Sequence, residues 1–215
     1  MPAPIPRRQL LRWPLALVLP AALSACGRKK PALTRLPAGS AVLALGDSLT
    51  WGTGAAPETS YPAVLQSLTG WRIANAGVPG DTSAGALARL PGLLQESAPQ
   101  LVLVSIGGND FLRRLPESDT RRHIQAICEQ IRASGAQTLL IAVPALSMRA
   151  ALGSPADHPL YADLARSLRL PLFADGWSRI LARSEWRSDA VHPNATGYAH
   201  FAHALADWAR QNGLL

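Results

Sequence analysis

The chain has 215 residues, 48% of them hydrophobic and 16% charged, which suits one well-filled globular domain and excludes a disordered chain. Its net charge of +7 invites a nucleic-acid reading, but Arg7, Arg8, Arg12, Arg28, Lys29, Lys30 and Arg35 hold the whole excess, and the stretch from Leu36 to Leu215 is formally neutral. No basic stripe interleaved with aromatics remains in the domain, so nucleic acid is excluded as a partner, and the two cysteines, Cys26 and Cys128, lack zinc-ligand spacing.

The first element is an address. Arg7, Arg8 and Arg12 precede the short apolar run from Trp13 to Leu23, the anatomy of a secretory signal. The run is too short, and too interrupted by Pro14 and Pro20, for a transmembrane helix. It ends in Leu23-Ser24-Ala25-Cys26, which resembles the bacterial lipobox, in which the cysteine is lipidated and becomes the new N-terminus. Gly27 after the cysteine implies sorting to the outer membrane in that resemblance. Arg7-Arg8-Gln9-Leu10-Leu11 also looks like a twin-arginine motif, so the choice between export routes stays open. The expected division is a signal peptide over 1–25, a lipidated Cys26 with a tether to residue 40, and a domain over 41–215. The expected location is the cell envelope, on the periplasmic face of the outer membrane.

The domain alternates strands with helices. Ala41 to Leu45 is a continuous apolar run closed by Gly46, as a strand buried on both faces requires. A helix is expected from Tyr61 to Leu68 and a strand from Trp71 to Ala76. A second helix runs from Ser83 to Gln95, with Pro91 expected to kink or break it. Leu101 to Ile106 is the clearest strand. Ser118 or Asp119 is expected to cap a helix to Ala133, with Ile124, Ile127, Cys128 and Ile131 facing inward. A strand from Thr138 to Val143, a helix from Ala156 to Leu168, a strand from Leu170 to Ala174 and a last helix capped by Asn194 follow. Such alternation implies a parallel sheet covered by helices on both faces, with chemistry at the carboxyl ends of the strands.

Four loops carry the candidate chemistry. Gly46-Asp47-Ser48-Leu49 follows the first strand and offers a hydroxyl nucleophile, which needs a base. Asp189 stands three residues before His192, on a loop closed by Pro193 and Asn194; a carboxylate so placed can orient an imidazole and stabilise its charged form. His192 is the only one of the five histidines in such a setting; His200 and His203 lie on the last helix without a third metal ligand. Gly107-Gly108-Asn109-Asp110 offers a side-chain amide, and the loop from Asn75 to Thr82 offers a backbone N–H at Gly80, both suited to an oxyanion. Asp47 and Asp110 read as structural carboxylates that satisfy loop N–H groups. Trp51 reads equally as a pocket wall or as packing.

These four blocks, in this order, resemble those of SGNH (GDSL-type) hydrolases, and Gly80 to Ser83 with Ala88 to Pro91 resembles the thioesterase I and arylesterase branch. The resemblance implies a flavodoxin-like three-layer α/β/α fold. It also implies a serine esterase acting on carboxylic esters or thioesters of small or medium acyl chains. Ser48 would be the nucleophile, His192 the base and Asp189 its orienting partner. The oxyanion hole would be the N–H groups of Ser48 and Gly80 and the Asn109 side chain. No cofactor or metal is implied, and the partners would be a small ester and, through Cys26, a membrane; oligomeric state is not legible. Two other readings fit the same blocks, a carbohydrate O-acetyl esterase of the envelope and a non-catalytic lipoprotein on this scaffold. The resemblance thins from Pro144 to Ser188, where selectivity is expected to be decided.

Overall fold

The computed structural model describes residue 1 and residues 33–145 and 153–215. The apolar run, the lipobox and Cys26 lie outside the described residues. Five strands form the sheet: β1 (Ala41–Gly46), β2 (Arg72–Gly77), β3 (Leu101–Ser105), β4 (Gln137–Ile141) and β5 (Leu172–Phe173). Their order is β2-β1-β3-β4-β5, and every pairing is parallel. Leu43 pairs with Ala74 on one side and Val102 on the other, which fixes the register of the central strands. β1 and β3 are buried on both faces, which is why they read as unbroken apolar runs, while the edge strand β2 exposes Arg72.

Among the described residues the α-helices are α1 (Ser48–Trp51), α2 (Tyr61–Thr69), α3 (Ser83–Ser97), α4 (Gly108–Leu112), α5 (Glu117–Ala133), α6 (Pro159–Leu168), α7 (Gly176–Leu181) and α8 (Ala195–Gln211). α2 and α7 pack against α8, whereas α5 packs against α3 and α6. These two groups are the outer layers of a three-layer α/β/α fold of flavodoxin-like strand order. The connection after β1 leads to β2 and the one after β3 leads the opposite way, to β4, so a crevice opens at the carboxyl ends of β1 and β3.

An aromatic cluster fixes the helix layer behind the site. Trp177 and Phe201 stack at 3.5 Å, and Tyr61 meets Phe201 edge-on at 5.0 Å. The buried Trp177 indole donates to Ser105 Oγ at 3.0 Å, so its one polar atom is satisfied. Tyr198 on α8 donates to the Thr53 carbonyl at 2.8 Å and ties the last helix to the segment after α1.

Four expectations are corrected. Residues 33–40 are not tether: Leu36 is core, its N–H donates to Leu214 O at 2.8 Å, and its carbonyl accepts from the Trp71 indole at 3.2 Å. α3 runs unbroken through Pro91 to Ser97. Pro91 is on the exposed side, and the buried Ala86 and Leu90 hold the helix despite a cost of about 3 kcal/mol for an internal proline. α5 begins at Glu117 behind Pro116 without a side-chain cap, and Glu117 and Asp119 place negative charge in its first turn instead. α6 begins at Pro159 rather than Ala156, because His158 caps it through the Leu160 N–H and Pro159 suits the first helical position.

Candidate active site

Ser48 is the first residue of α1, directly after β1. The turn between them is made by Gly46 and Asp47. A Cβ on Gly46 would lie 2.6 Å from the Ser105 carbonyl and 2.0 Å from Thr50 Oγ1, so only glycine lets the strand end here against β3. Asp47 caps α1 by accepting from the Leu49 N–H at 3.1 Å. The helix start also leaves the Ser48 N–H without an intrahelical acceptor.

The second loop meets the first across the crevice. His192 Nε2 lies 2.9 Å from Ser48 Oγ, and His192 Nδ1 lies 2.7 Å from Asp189 Oδ2. Asp189 Oδ1 accepts from the N–H groups of Val191 and His192, each at 2.8 Å. One carboxylate therefore shapes the loop and orients the ring. Partial burial opposes ionisation of Asp189, but the hydrogen bonds from His192 and Val191 outweigh it and hold the carboxyl below its ordinary range. The loop is stapled further by Asn194 N–H to Trp186 O at 2.9 Å and Ser188 N–H to His192 O at 3.0 Å. With Nδ1–H turned to the carboxylate, Nε2 presents its lone pair to the serine hydroxyl, the arrangement general base catalysis needs.

Three N–H donors share the cavity with Ser48 and His192: the backbone of Ser48, the backbone of Gly80 and the side chain of Asn109. Gly80 has φ +78°, a left-handed turn position that favours glycine. Neither the Ser48 nor the Gly80 N–H has a protein acceptor among the described residues. Asn109 Nδ2 donates to Asp81 O at 2.9 Å and, less closely, to Asp47 Oδ2 at 3.4 Å. The first bond fixes the amide, and the long second one leaves a hydrogen available to a nearby oxyanion. Asp110, as expected, is structural: it accepts from the Ser83 N–H at 2.8 Å and from the Thr120 hydroxyl at 3.3 Å.

Sequence reasoning missed Arg89, although it lies in the Ala88-to-Pro91 block. Its guanidinium donates to Gly46 O at 2.9 Å, Ala76 O at 2.7 Å and the Asp81 carboxylate at 2.8 Å. It thus clamps the ends of β1 and β2 and the Gly80 loop together. No periodicity signals such a role; only the three-dimensional meeting of two strand ends does. The cavity holds about 270 Å³ and is walled by apolar groups, among them Leu49, Leu112, Val143 and Leu181. Pro144, Ala145, Pro155, Leu181 and Arg187 bring the stretch from Pro144 to Ser188, where selectivity is expected, into the wall. Trp51 does not line this cavity and is 54% exposed. His200 stacks on Trp186 at 4.1 Å, and Cys128 is a buried free thiol.

The Asp47 carboxyl is buried, and desolvation raises its pKa from 3.8 to about 7, against the opposing Leu49 hydrogen bond and the His192 charge. The folded state therefore holds this proton more tightly than the unfolded chain. The resulting stability is complete below 3.8 and is lost as pH rises through about 7. Asp47→Asn removes this dependence. Thermal melting of both proteins across that window should show the native protein losing ground to the variant as pH rises; parallel curves would contradict the assignment.

Residues 44–200 match the GDSL-like lipase/acylhydrolase family. The chain is 32% identical over 179 residues to thioesterase 1/protease 1/lysophospholipase L1 of Escherichia coli K12, covering 81% of this chain and 83% of that protein. The crystal structure of TesA superposes with a TM-score of 0.70 at 26% identity, covering 80% of this chain and 98% of that one. The SGNH-hydrolase family esterase AlinE4 superposes with a TM-score of 0.62 at 28% identity, covering 82% and 97%. Sequence blocks, strand order and these likenesses agree, and the chain belongs to the GDSL-like lipase/acylhydrolase family, a family of carboxylic ester hydrolases.

Proposed function

We propose that Ser48, His192 and Asp189 perform the ester hydrolysis, on carboxylic esters or thioesters of small or medium acyl chains. The observation that carries this reading is the continuous chain from Ser48 Oγ through His192 to Asp189, opening into one apolar cavity. Ser48 Oγ attacks the carbonyl carbon while its proton passes to His192 Nε2. The oxyanion forms beside the N–H groups of Ser48 and Gly80 and the Asn109 amide. As the intermediate collapses, the leaving alkoxide or thiolate takes the proton from Nε2 and an acyl-serine remains. Water then attacks the acyl carbon, gives its proton to His192, and the acid departs as Nε2 returns the proton to Ser48.

A cavity of about 270 Å³ lies just below the usual range of ligand pockets, which starts at about 300 Å³. Its apolar wall favours an acyl chain over a sugar hydroxyl face. Hydrolysis of p-nitrophenyl acetate, butyrate and octanoate by the full chain tests this. Turnover that peaks beyond acetate supports the reading, and activity confined to acetate favours an O-acetyl esterase. Asn109→Ala should lower kcat by about 100- to 1,000-fold, the usual effect of losing one oxyanion donor. A loss under ten-fold would remove Asn109 from the hole.

We also propose that Cys26 carries the lipid anchor and holds the domain at the cell envelope, on the periplasmic face of the outer membrane. Two features support an orientation. The chain enters the domain at Leu36 and Gly39, beside the amino-terminal ends of the strands, where Gly39 N–H donates to Gly70 O at 2.7 Å. Ser48 lies at the other end of β1. An anchored domain would thus turn its cavity away from the leaflet that holds it, toward soluble esters. Metabolic labelling with palmitate should mark the native chain and not Cys26→Ser; an unlabelled native chain would overturn the anchor.

A further inference from the structure

We propose that Arg187 makes the cavity selective for esters that carry an anionic group, in the simplest case a carboxylate, near the scissile bond. The proposal rests on the esterase reading above and names its substrate class. Among the described residues, three ionisable ones line the cavity: Asp47, His192 and Arg187. Asp47 is engaged by the Leu49 N–H and Asn109, and His192 by Asp189 and Ser48. Arg187 differs. It is half-buried, and among the described residues its guanidinium makes neither a hydrogen bond nor an ion pair. Two other described arginines near the site are committed to protein, Arg89 to Gly46, Ala76 and Asp81, and Arg113 to the Gly80 carbonyl at 2.7 Å.

The backbone of Arg187 is held firmly. It bridges Pro193 in antiparallel fashion, its N–H donates to Ser184 O at 3.3 Å, and its carbonyl accepts from Asn194 Nδ2 at 3.4 Å. The side chain therefore starts from the stapled loop that also carries His192, and it lines the same cavity as the reacting serine. A guanidinium carries five N–H donors and no acceptor, and its flat fork fits a carboxylate or phosphate oxygen pair. A ligand anion in the cavity would supply acceptors that no described residue gives this guanidinium. Guanidinium is also more weakly hydrated than ammonium, so little is lost in bringing it against the ligand. A neutral ester of the same length leaves these donors unmatched.

The anion can stand on the acyl side or on the alcohol side of the ester, and two substrate pairs separate these. The acyl pair is p-nitrophenyl hemiglutarate against p-nitrophenyl pentanoate. The alcohol pair is 4-acetoxybenzoate against 4-methylphenyl acetate. With the full chain, the charged member of one pair should exceed its neutral partner in kcat/KM by about ten- to a hundred-fold, the worth of a hydrogen bond to a charged group. The advantage should lie mainly in KM, since the contact is made before the chemical step. In Arg187→Met the charged-to-neutral ratio should fall to one or below, and Arg187→Lys should restore part of it. Hydrolysis of neutral esters with no preference for either charged one, or a preference that survives in Arg187→Met, would overturn this proposal and leave the esterase reading standing. Failure to hydrolyse any of the four, with native and Ser48→Ala proteins alike, would overturn both.

Discussion

Replacing Ser48 by alanine should lower kcat on p-nitrophenyl butyrate by about 10⁶-fold, and His192→Ala should cost about as much. The two losses should not add. Ser48 Oγ and His192 Nε2 stand 2.9 Å apart, and the proton that the hydroxyl gives up is the one the ring receives. Once either partner is gone the other has nothing to activate, so the double variant should be no slower than the worse single one. The oxyanion donors and the cavity remain in all three proteins, and about 10³- to 10⁴-fold acceleration over water should survive. Steady-state rates of the three variants check this. Independent, multiplying losses would mean that the two side chains do not act as a unit.

Asp189→Asn should reduce kcat by about 10³- to 10⁴-fold with little change in KM, a loss that comes from the wrong tautomer. An asparagine oxygen can still accept from the Val191 and His192 N–H groups that Asp189 Oδ1 now serves, so the loop keeps its shape. Its NH₂ group, however, would donate to His192 Nδ1. That places the ring proton on Nε2, facing Ser48 with a donor where a base is required. The Asp189 side chain is 53% exposed, so water offers partial compensation and the upper end of the range is not expected. A loss below ten-fold would show that the His192 ring is oriented by its backbone and packing alone.

Much of this was legible in the sequence, for identifiable reasons. β1 and β3 lie in the middle of a parallel sheet, and burial on both faces writes an unbroken apolar run. α5 buries one face, so Ile124, Ile127, Cys128 and Ile131 recur at helical spacing. The Gly46-to-Leu49, Gly80, Asn109 and Asp189-to-His192 blocks are short local motifs; the first three follow the ends of β1, β2 and β3, and the fourth lies in the loop before α8.

What stayed hidden depends on contacts between distant segments. The extent of β5 was hidden: a strand is expected from Leu170 to Ala174, and only Leu172–Phe173 pairs with β4. The docking of residues 33–40 needs Leu214 and Trp71, far away in the chain. Arg89 reads as an ordinary helix arginine until Gly46, Ala76 and Asp81 are brought around it. Arg187 reads as a surface charge until the cavity forms beside it. Trp51 could be read either as wall or as packing, and it stands outside the active-site cavity, 54% exposed at the end of α1.

The most direct test of the central claim is the intact mass, and then the peptide map, of the full chain after exposure to p-nitrophenyl ethylphosphonate. An activated phosphonate traps the nucleophile of a serine esterase as a stable adduct. A single adduct on Ser48, absent from Ser48→Ala, strongly slowed in His192→Ala and accompanied by loss of esterase activity, is the predicted result. Modification of another residue, or continued ester hydrolysis by a chain fully modified at Ser48, would contradict the account.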